Sequence, residues 1–296
     1  MGSSQVLPTP LSGGGGSAYT PTVNGLFGDG SEGDAVLSVL TALSRETHYN
    51  NLTITGTGTL KPAGFRCFVK GTLTIDAGGS VNDDGPSAVG STEGASLGAR
   101  GTLNAITGQG RAGNGGGGAG ANGNASINSS LNGTGAAPNG GVGGSAVNAG
   151  GLAGVAGTAV QGQRWNGTAW PQQGRFNNSG AQLPYGGGAG GGSGASSAIG
   201  TTGGGSGTGG GLVWIAAKNV VNNGRISANG GNGSTGVGAA ASGGGGGGGG
   251  GCVMLATLTQ STGTVQAIGG VGGPGLNAGN AGTNGVAGSV IVVVLA

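Results

Sequence analysis

Acidic side chains stop at Glu93. All 8 carboxylates (Asp29, Glu32, Asp34, Glu46, Asp76, Asp83, Asp84 and Glu93) lie in the first 93 positions, and beyond them the only charges are Arg100, Arg111, Arg164, Arg175, Lys218 and Arg225. Paired-carboxylate catalysis, a Ser-His-Asp triad and a side-chain calcium site are therefore excluded from residues 94–296. His48 is the only histidine, so a metal site has no second imidazole, and RETHYNN reads as a solvent-facing turn. The 2 cysteines, Cys67 and Cys252, sit in separate apolar runs and read as buried small hydrophobes, with a disulfide as the alternative. Charged residues are only 6% of the chain, and dispersed cations do not make a nucleic-acid footprint. No apolar run reaches membrane-spanning length, the longest being 290–296, and no basic segment followed by an apolar one marks a secretory leader.

Glycine takes the place of what is missing. It supplies 83 of 296 residues, against a usual share of about 7%. Proline is only 9, too few for a collagen triple helix, and low charge with appreciable apolar content is not the signature of disorder. In residues 270–288, glycine recurs at 270, 273, 279, 282, 285 and 288, with Leu276 breaking the step. Period three is neither helix nor strand; it is the period of an extended left-handed polyproline-II-type helix. Such a helix has no internal hydrogen bonds, so a packed one must bond to neighbours, which approach closely only where side chains are absent. The expectation is a rigid glycine scaffold. Run straight, a tract of about 18 residues would span roughly 55 Å. The nine consecutive glycines at 243–251 carry the largest ordering cost, bearable only inside a hydrogen-bonded lattice.

The chain divides into an extended arm at 1–25, a β-rich module at 26–105 and a glycine-rich domain at 106–296. Residues 51–58 (NLTITGTG) and 65–75 (FRCFVKGTLTI) alternate as strands do, whereas 35–43 (AVLSVLTAL) fits a short helix or a strand equally. Apolar runs at 212–217, 252–257 and 290–296 read as strands covered on both faces. They form an internal repeat: Gly64-FRCFVK-Gly71-TLTIDA-Gly78-Gly79 parallels Gly211-LVWIAAKNVVNN-Gly224-RISAN-Gly230-Gly231, then Gly251-CVMLATLTQST-Gly263-TVQAI-Gly269-Gly270, and a partial copy from Gly288. The fold class is all-β and irregular: an N-terminal β module, then stacked strand layers joined by polyglycine-II helices, with few or no α-helices.

Little of the chemistry-bearing vocabulary is present. Chance GxGxxG matches do not connect a strand to a helix, and no P-loop occurs. Asp29, Glu32 and Asp34 in GDGSEGD have the wrong spacing for an EF-hand and suit a turn. No metal, cofactor or enzymatic activity is expected. The exception to the glycine background is 161–185, QGQRWNGTAWPQQGRFNNSGAQLPY, which carries Arg164, Trp165, Trp170, Arg175, Phe176 and Tyr185 among amides. Rigid aromatics, arginine and adaptable amides make up recognition surfaces; the same aromatics could instead plug the end of a scaffold short of large side chains.

Stacked glycine tracts with variable loops resemble the distal tail-fibre adhesins of T-even-type bacteriophages, over roughly 106–296. FGDGSEGD followed by NLTITGTGTLKPAGFRCFVKGTLTIDAGG is similar to a module of glycine-rich virion proteins of tailed phages, over about 27–80. The adhesin resemblance implies a virion surface protein, assembled in the host cytoplasm, whose loops touch a host receptor or glycan. It makes 161–185 the candidate contact and the N-terminal arm the link to other virion proteins. A homotrimer is the assembly this setting implies, with no nucleic acid and no membrane insertion. Alternating strands and the absence of the adhesins' usual attachment domain leave a capsid decoration or head-fibre protein as the alternative. An ice- or matrix-binding protein would need a flat Thr/Ala-rich face.

Overall fold

The computed structural model describes residues 23–95, 97, 202–239, 241–261 and 263–295, with the backbone of 164–165 and 181–182. Among them the regular structure is almost all β, with one four-residue helix, α1 (Val23–Leu26). The first strands are β1 (Ala35–Leu37), β2 (Leu40–Ala42), β3 (Thr47–Tyr49), β4 (Leu52–Ile54), β5 (Thr59–Lys61), β6 (Arg66–Ile75) and β7 (Ser80–Asn82). The short pair β8 (Arg164–Trp165) and β9 (Ala181–Gln182) stands apart. Then follow β10 (Leu212–Asn222), β11 (Arg225–Ser227), β12 (Cys252–Thr257), β13 (Thr259–Gln260), β14 (Thr264–Gln266) and β15 (Ser289–Val294). The undecided stretch 35–43 is thus two short strands meeting at a corner.

Two parallel sheets result. The larger runs β1-β4-β6-β10-β12-β15, with β3 also on β6 and β13 also on β10; the smaller runs β14-β11-β7-β5-β2. Each turn of the chain adds a segment to one sheet, rounds a corner and adds one to the other. The corner after β6 needs Gly78, whose φ is +88° and whose added Cβ would lie 2.7 Å from the Gly56 carbonyl oxygen. Like residues stack in register. Leu60, Val81, Ile226 and Val265 form one row of the smaller sheet, facing Leu52, Leu73 and Val220 of the larger. This inner core is fully buried at most positions, and each large aliphatic side chain there contributes about 1.5–3 kcal/mol.

The later copies lie side by side as aligned, but the first does not: 72–75 continue along β10 to pair with 219–222, so Gly79-SVN, and not Gly71-TLTIDA, is the partner of Gly224-RIS. Leu212 pairs with Cys252 and Cys252 with Ser289, as the glycines at 211, 251 and 288 would place them. Arg66, however, pairs with Trp214, one residue off the sequence alignment, and the register returns only between Ala217 and Asn219. β6 carries the extra residue there, at Lys70 and Gly71, and Gly71 lies so close to Asn50 and Asn51 that a Cβ would not fit. The expectation of two covered faces holds for β12, buried throughout. It fails for β15, where Val290, Val292 and Val294 are exposed because β14 is the last strand of the facing sheet.

The glycine tracts leave the smaller sheet and return to the larger. They do not run straight through: 267–288 reverses at Leu276, where the Gly279 amide donates to its carbonyl at 2.9 Å, and the halves bond through Gly282 to Gly273, Gly285 to Gly270 and Gly288 to Ala267. The single-run span expected from sequence is therefore about halved. Residues 243–251 lie at the centre, all buried. Amides 244, 247 and 250 donate to carbonyls 280, 283 and 286; amides 245, 248 and 251 donate to 234, 231 and 228; carbonyls 243, 246 and 249 accept from 204, 207 and 210. Every third residue thus points the same way. An added Cβ at Gly245 would lie 1.8 Å from the Gly205 oxygen, and at Gly247 2.0 Å from that of Gly270.

Side chains spaced three apart join neighbouring tracts. Asp84 Oδ1 accepts from the Asn229 amide at 2.7 Å, and Asn229 Oδ1 accepts in turn from Ile268 at 3.0 Å. One step further along, Ser87 Oγ accepts from Asn232 at 2.9 Å, and Asn232 Oδ1 from Val271 at 2.8 Å. This ladder crosses three tract layers.

Candidate functional site

Of the six recognition candidates, two fall on described backbone. Arg164 and Trp165 form β8, antiparallel to β9, with Arg164 opposite Gln182 and Trp165 opposite Ala181. The pairing brings residue 165 beside residue 181. Trp170, Arg175, Phe176 and Tyr185 lie outside the described residues, as do the arm at 1–22 and most of 98–201. The chain re-enters the described body at Thr202, which bridges Val237; Ser242 bridges Leu276 in the same manner. Re-entry is therefore in line with the ends of the glycine tracts, farthest along them from the sheets.

The acidic loop before β1 is engaged internally. Asp29 accepts from the Ser31 amide at 2.9 Å, and Glu32 forms a bidentate pair with Arg45. Asp34 accepts from Asn50 Nδ2 at 2.7 Å and from the amide and side chain of Asn51, both at 3.0 Å. These bonds hold Asp34 below the usual carboxylate range, those from Asn50 and Asn51 side chains first, and the Ser31 amide does the same for Asp29. The loop is tied to the strands, and among the described residues no group of three or more metal-ligating side chains occurs.

His48 is not the turn residue expected from sequence. It lies in β3, stacked on Phe68 at 4.6 Å between ring centres, and Phe68 meets Trp214 edge-on at 5.2 Å. Arg66 lies over both Phe68 and Trp214 while its guanidinium chelates Glu46 at 2.5 and 2.8 Å. Parallel register assembles this cluster: β3 places His48 on Phe68, and β10 places Trp214 beside Arg66. A cleft of about 450 Å³ beside it is lined by Gly25, Gly28, Asp29, His48 and Lys70. Asp29 stands 3.8 Å from His48 Nδ1, beyond hydrogen-bond reach. Sequence reasoning missed the cluster, because its members come from runs far apart whose pairing only the register reveals.

Cys67 and Cys252 are free and fully buried, which pushes each thiol up to about 12. Cys67 faces the core between the sheets and Cys252 the opposite face of the larger sheet, so the disulfide alternative does not arise. Among the described residues no helix is long and apolar enough to cross a membrane. No family model matches the chain, and neither a curated protein nor a solved structure shows significant similarity to it.

Proposed function

We propose that the chain is a non-enzymatic surface protein of a tailed-phage virion, a tail-fibre or tip adhesin that binds the host cell surface. Its glycine tracts act as polyglycine-II helices, packed into a stiff body that displays the aromatic and arginine-bearing segment 161–185. The observation that carries this reading is the three-directional hydrogen bonding of residues 243–251, which holds a run of nine glycines buried and bonded to its neighbours. A body so built resists bending without large side chains. It leaves Arg164, Trp165, Trp170, Arg175, Phe176 and Tyr185 as the groups with the chemistry to hold a receptor. Aromatic faces stack on sugar rings or apolar side chains, and guanidinium groups pair with phosphate or carboxylate. The N-terminal arm serves as the link to other virion proteins.

The test is binding of the purified protein to host cells, comparing wild type with a Trp165→Ala/Trp170→Ala double variant of equal thermal stability. Binding lost in the variant supports an adhesin with its contact in 161–185. A folded wild type that binds no cells refutes the adhesin and directs attention to capsid decoration, which negative-stain localisation on particles would then identify.

A further inference from the structure

An asparagine followed by glycine can close on itself, because no side chain keeps the glycine nitrogen from the asparagine's side-chain carbonyl. Residues 202–295 contain four such pairs, beginning at Asn223, Asn229, Asn232 and Asn284. Three of them are clamped to a neighbouring segment by both halves of the dipeptide. Asn229 Oδ1 accepts from the Ile268 amide at 3.0 Å while the Gly230 amide donates to the Ile268 carbonyl at 2.8 Å. Asn232 and Gly233 hold Val271 in the same way, at 2.8 and 2.9 Å. Asn284 Oδ1 accepts from the Gly272 amide at 2.9 Å, and the Gly285 amide donates to the Gly270 carbonyl at 2.9 Å. Each clamp fixes the side chain by its oxygen and turns the following N–H away, so the reacting atoms meet only after both bonds open. Exposure alone does not separate the pairs, since Asn232 and Asn284 are exposed too.

Asn223 and Gly224 form the corner between β10 and β11 and lack this restraint. The Asn223 side chain is exposed and makes no hydrogen bond among the described residues; only its backbone amide is held, by the Ile75 carbonyl at 2.8 Å. The Gly224 amide donates to Asn222 Oδ1 at 3.1 Å, a single bond from two residues back.

We infer that Asn223 is a site of spontaneous deamidation, selected by the fold from among four pairs of the same composition. The Gly224 nitrogen gives its proton to solvent base and attacks the Asn223 side-chain carbonyl carbon. A nitrogen–carbon bond forms there, the bond to the side-chain nitrogen breaks, and that nitrogen leaves as ammonia with a proton from solvent. Water then opens the cyclic imide at either carbonyl, giving aspartate or isoaspartate. One water enters, one ammonia leaves, and nothing is oxidised or reduced. The product sets a carboxylate, and in the isoaspartyl form an extra main-chain methylene, on a stretch with no acidic side chain after Glu93. The inference stands independently of the adhesin reading.

The full chain held folded in mildly alkaline buffer and, in parallel, unfolded in urea tests it, with conversion at each asparagine followed by peptide mass spectrometry. Asn223 reports through the tryptic peptide 219–225, NVVNNGR, and the other three through fragmentation of the segment after Arg225. In the folded protein Asn223 should convert at least about tenfold faster than Asn229, Asn232 or Asn284, since each clamp must give up two bonds before its ring closes. In urea the four rates should converge. Asn223→Gln, whose longer side chain must close a larger ring, should leave the 219–225 peptide unconverted, which places the reaction on residue 223 and not on Asn219 or Asn222. Equal rates at Asn223 and the clamped pairs in the folded chain, a rate gap that persists in urea, or conversion that survives Asn223→Gln would each overturn the inference.

Discussion

Replacing Gly248 by alanine adds one methyl group at the centre of the glycine lattice. The new Cβ would stand 2.2 Å from the Thr208 carbonyl oxygen, 2.5 Å from its carbon and 2.9 Å from the Gly209 nitrogen. All three are backbone atoms, so no rotamer change relieves the clash. Ordinary contact begins near 3.4 Å, and the two tracts must part by about 1.2 Å, the difference between the two distances. That movement breaks or stretches three bonds: Gly231 to Thr208 at 2.7 Å, Gly248 to Gly231 at 2.8 Å and Gly270 to Gly248 at 2.7 Å. At about 1 kcal/mol net each, and about 1–3 kcal/mol for any buried donor left unpaired, the loss is roughly 3–5 kcal/mol. The stiffer unfolded chain returns at most about 1 kcal/mol. Equilibrium urea denaturation followed by far-UV circular dichroism measures the difference. Ala287→Ser, on an exposed frame of a neighbouring tract, serves as the control and should change stability by less than about 0.5 kcal/mol. A Gly248→Ala variant destabilised by less than about 1 kcal/mol would refute the lattice argument.

Two further outcomes follow from side chains that join layers. Asp84→Ala removes acceptors for the Asn229 amide and the Ser227 hydroxyl and the 3.2 Å ion pair to Arg225, and should cost about 2–3 kcal/mol in the same assay; no measurable loss would mean the ladder is passive. Asp34 is held below the usual carboxylate range when folded, so its stabilisation is present above about pH 4 and is lost as pH falls. Asp34→Asn should therefore flatten the decline of the thermal midpoint on acidification from about pH 5 to pH 3, and an unchanged acid slope would contradict the assignment.

Most strands could be read from their sequence because alternation reports burial directly. Leu52, Ile54, Leu73 and Ile75 lie one residue in two toward the core, and the T-I-T and T-L-T patterns show it without any knowledge of partners. Residues 35–43 were ambiguous because three-residue strands at a corner carry no full period. The register between β6 and β10 was off by one at its start because a bulge at Lys70 and Gly71 leaves no compositional mark. Glycine phase showed that the tracts pack, but their reversal at Leu276 was hidden: the break in the three-residue step is also what a simple imperfection would produce. At the candidate site, composition alone singled out 161–185, and the β8–β9 pair could not be foreseen, since Arg-Trp and Ala-Gln have no alternation to read. Asn229 and Asn232 were legible in principle. They stand three apart in a glycine tract, so both share one frame, in which a side-chain oxygen can accept from the next tract.

The three-residue step makes each tract behave like a message with a reading frame. Gly204, Gly207 and Gly210 meet carbonyls 243, 246 and 249, and inserting a single residue would rotate every later glycine away from its neighbour and drive a side chain into it. Gain or loss of three residues only lengthens or shortens the arm. Length variation among descendants of this chain should therefore accumulate in triplets inside the tracts and freely at their turns, a pattern that codon-by-codon divergence would otherwise have no reason to keep.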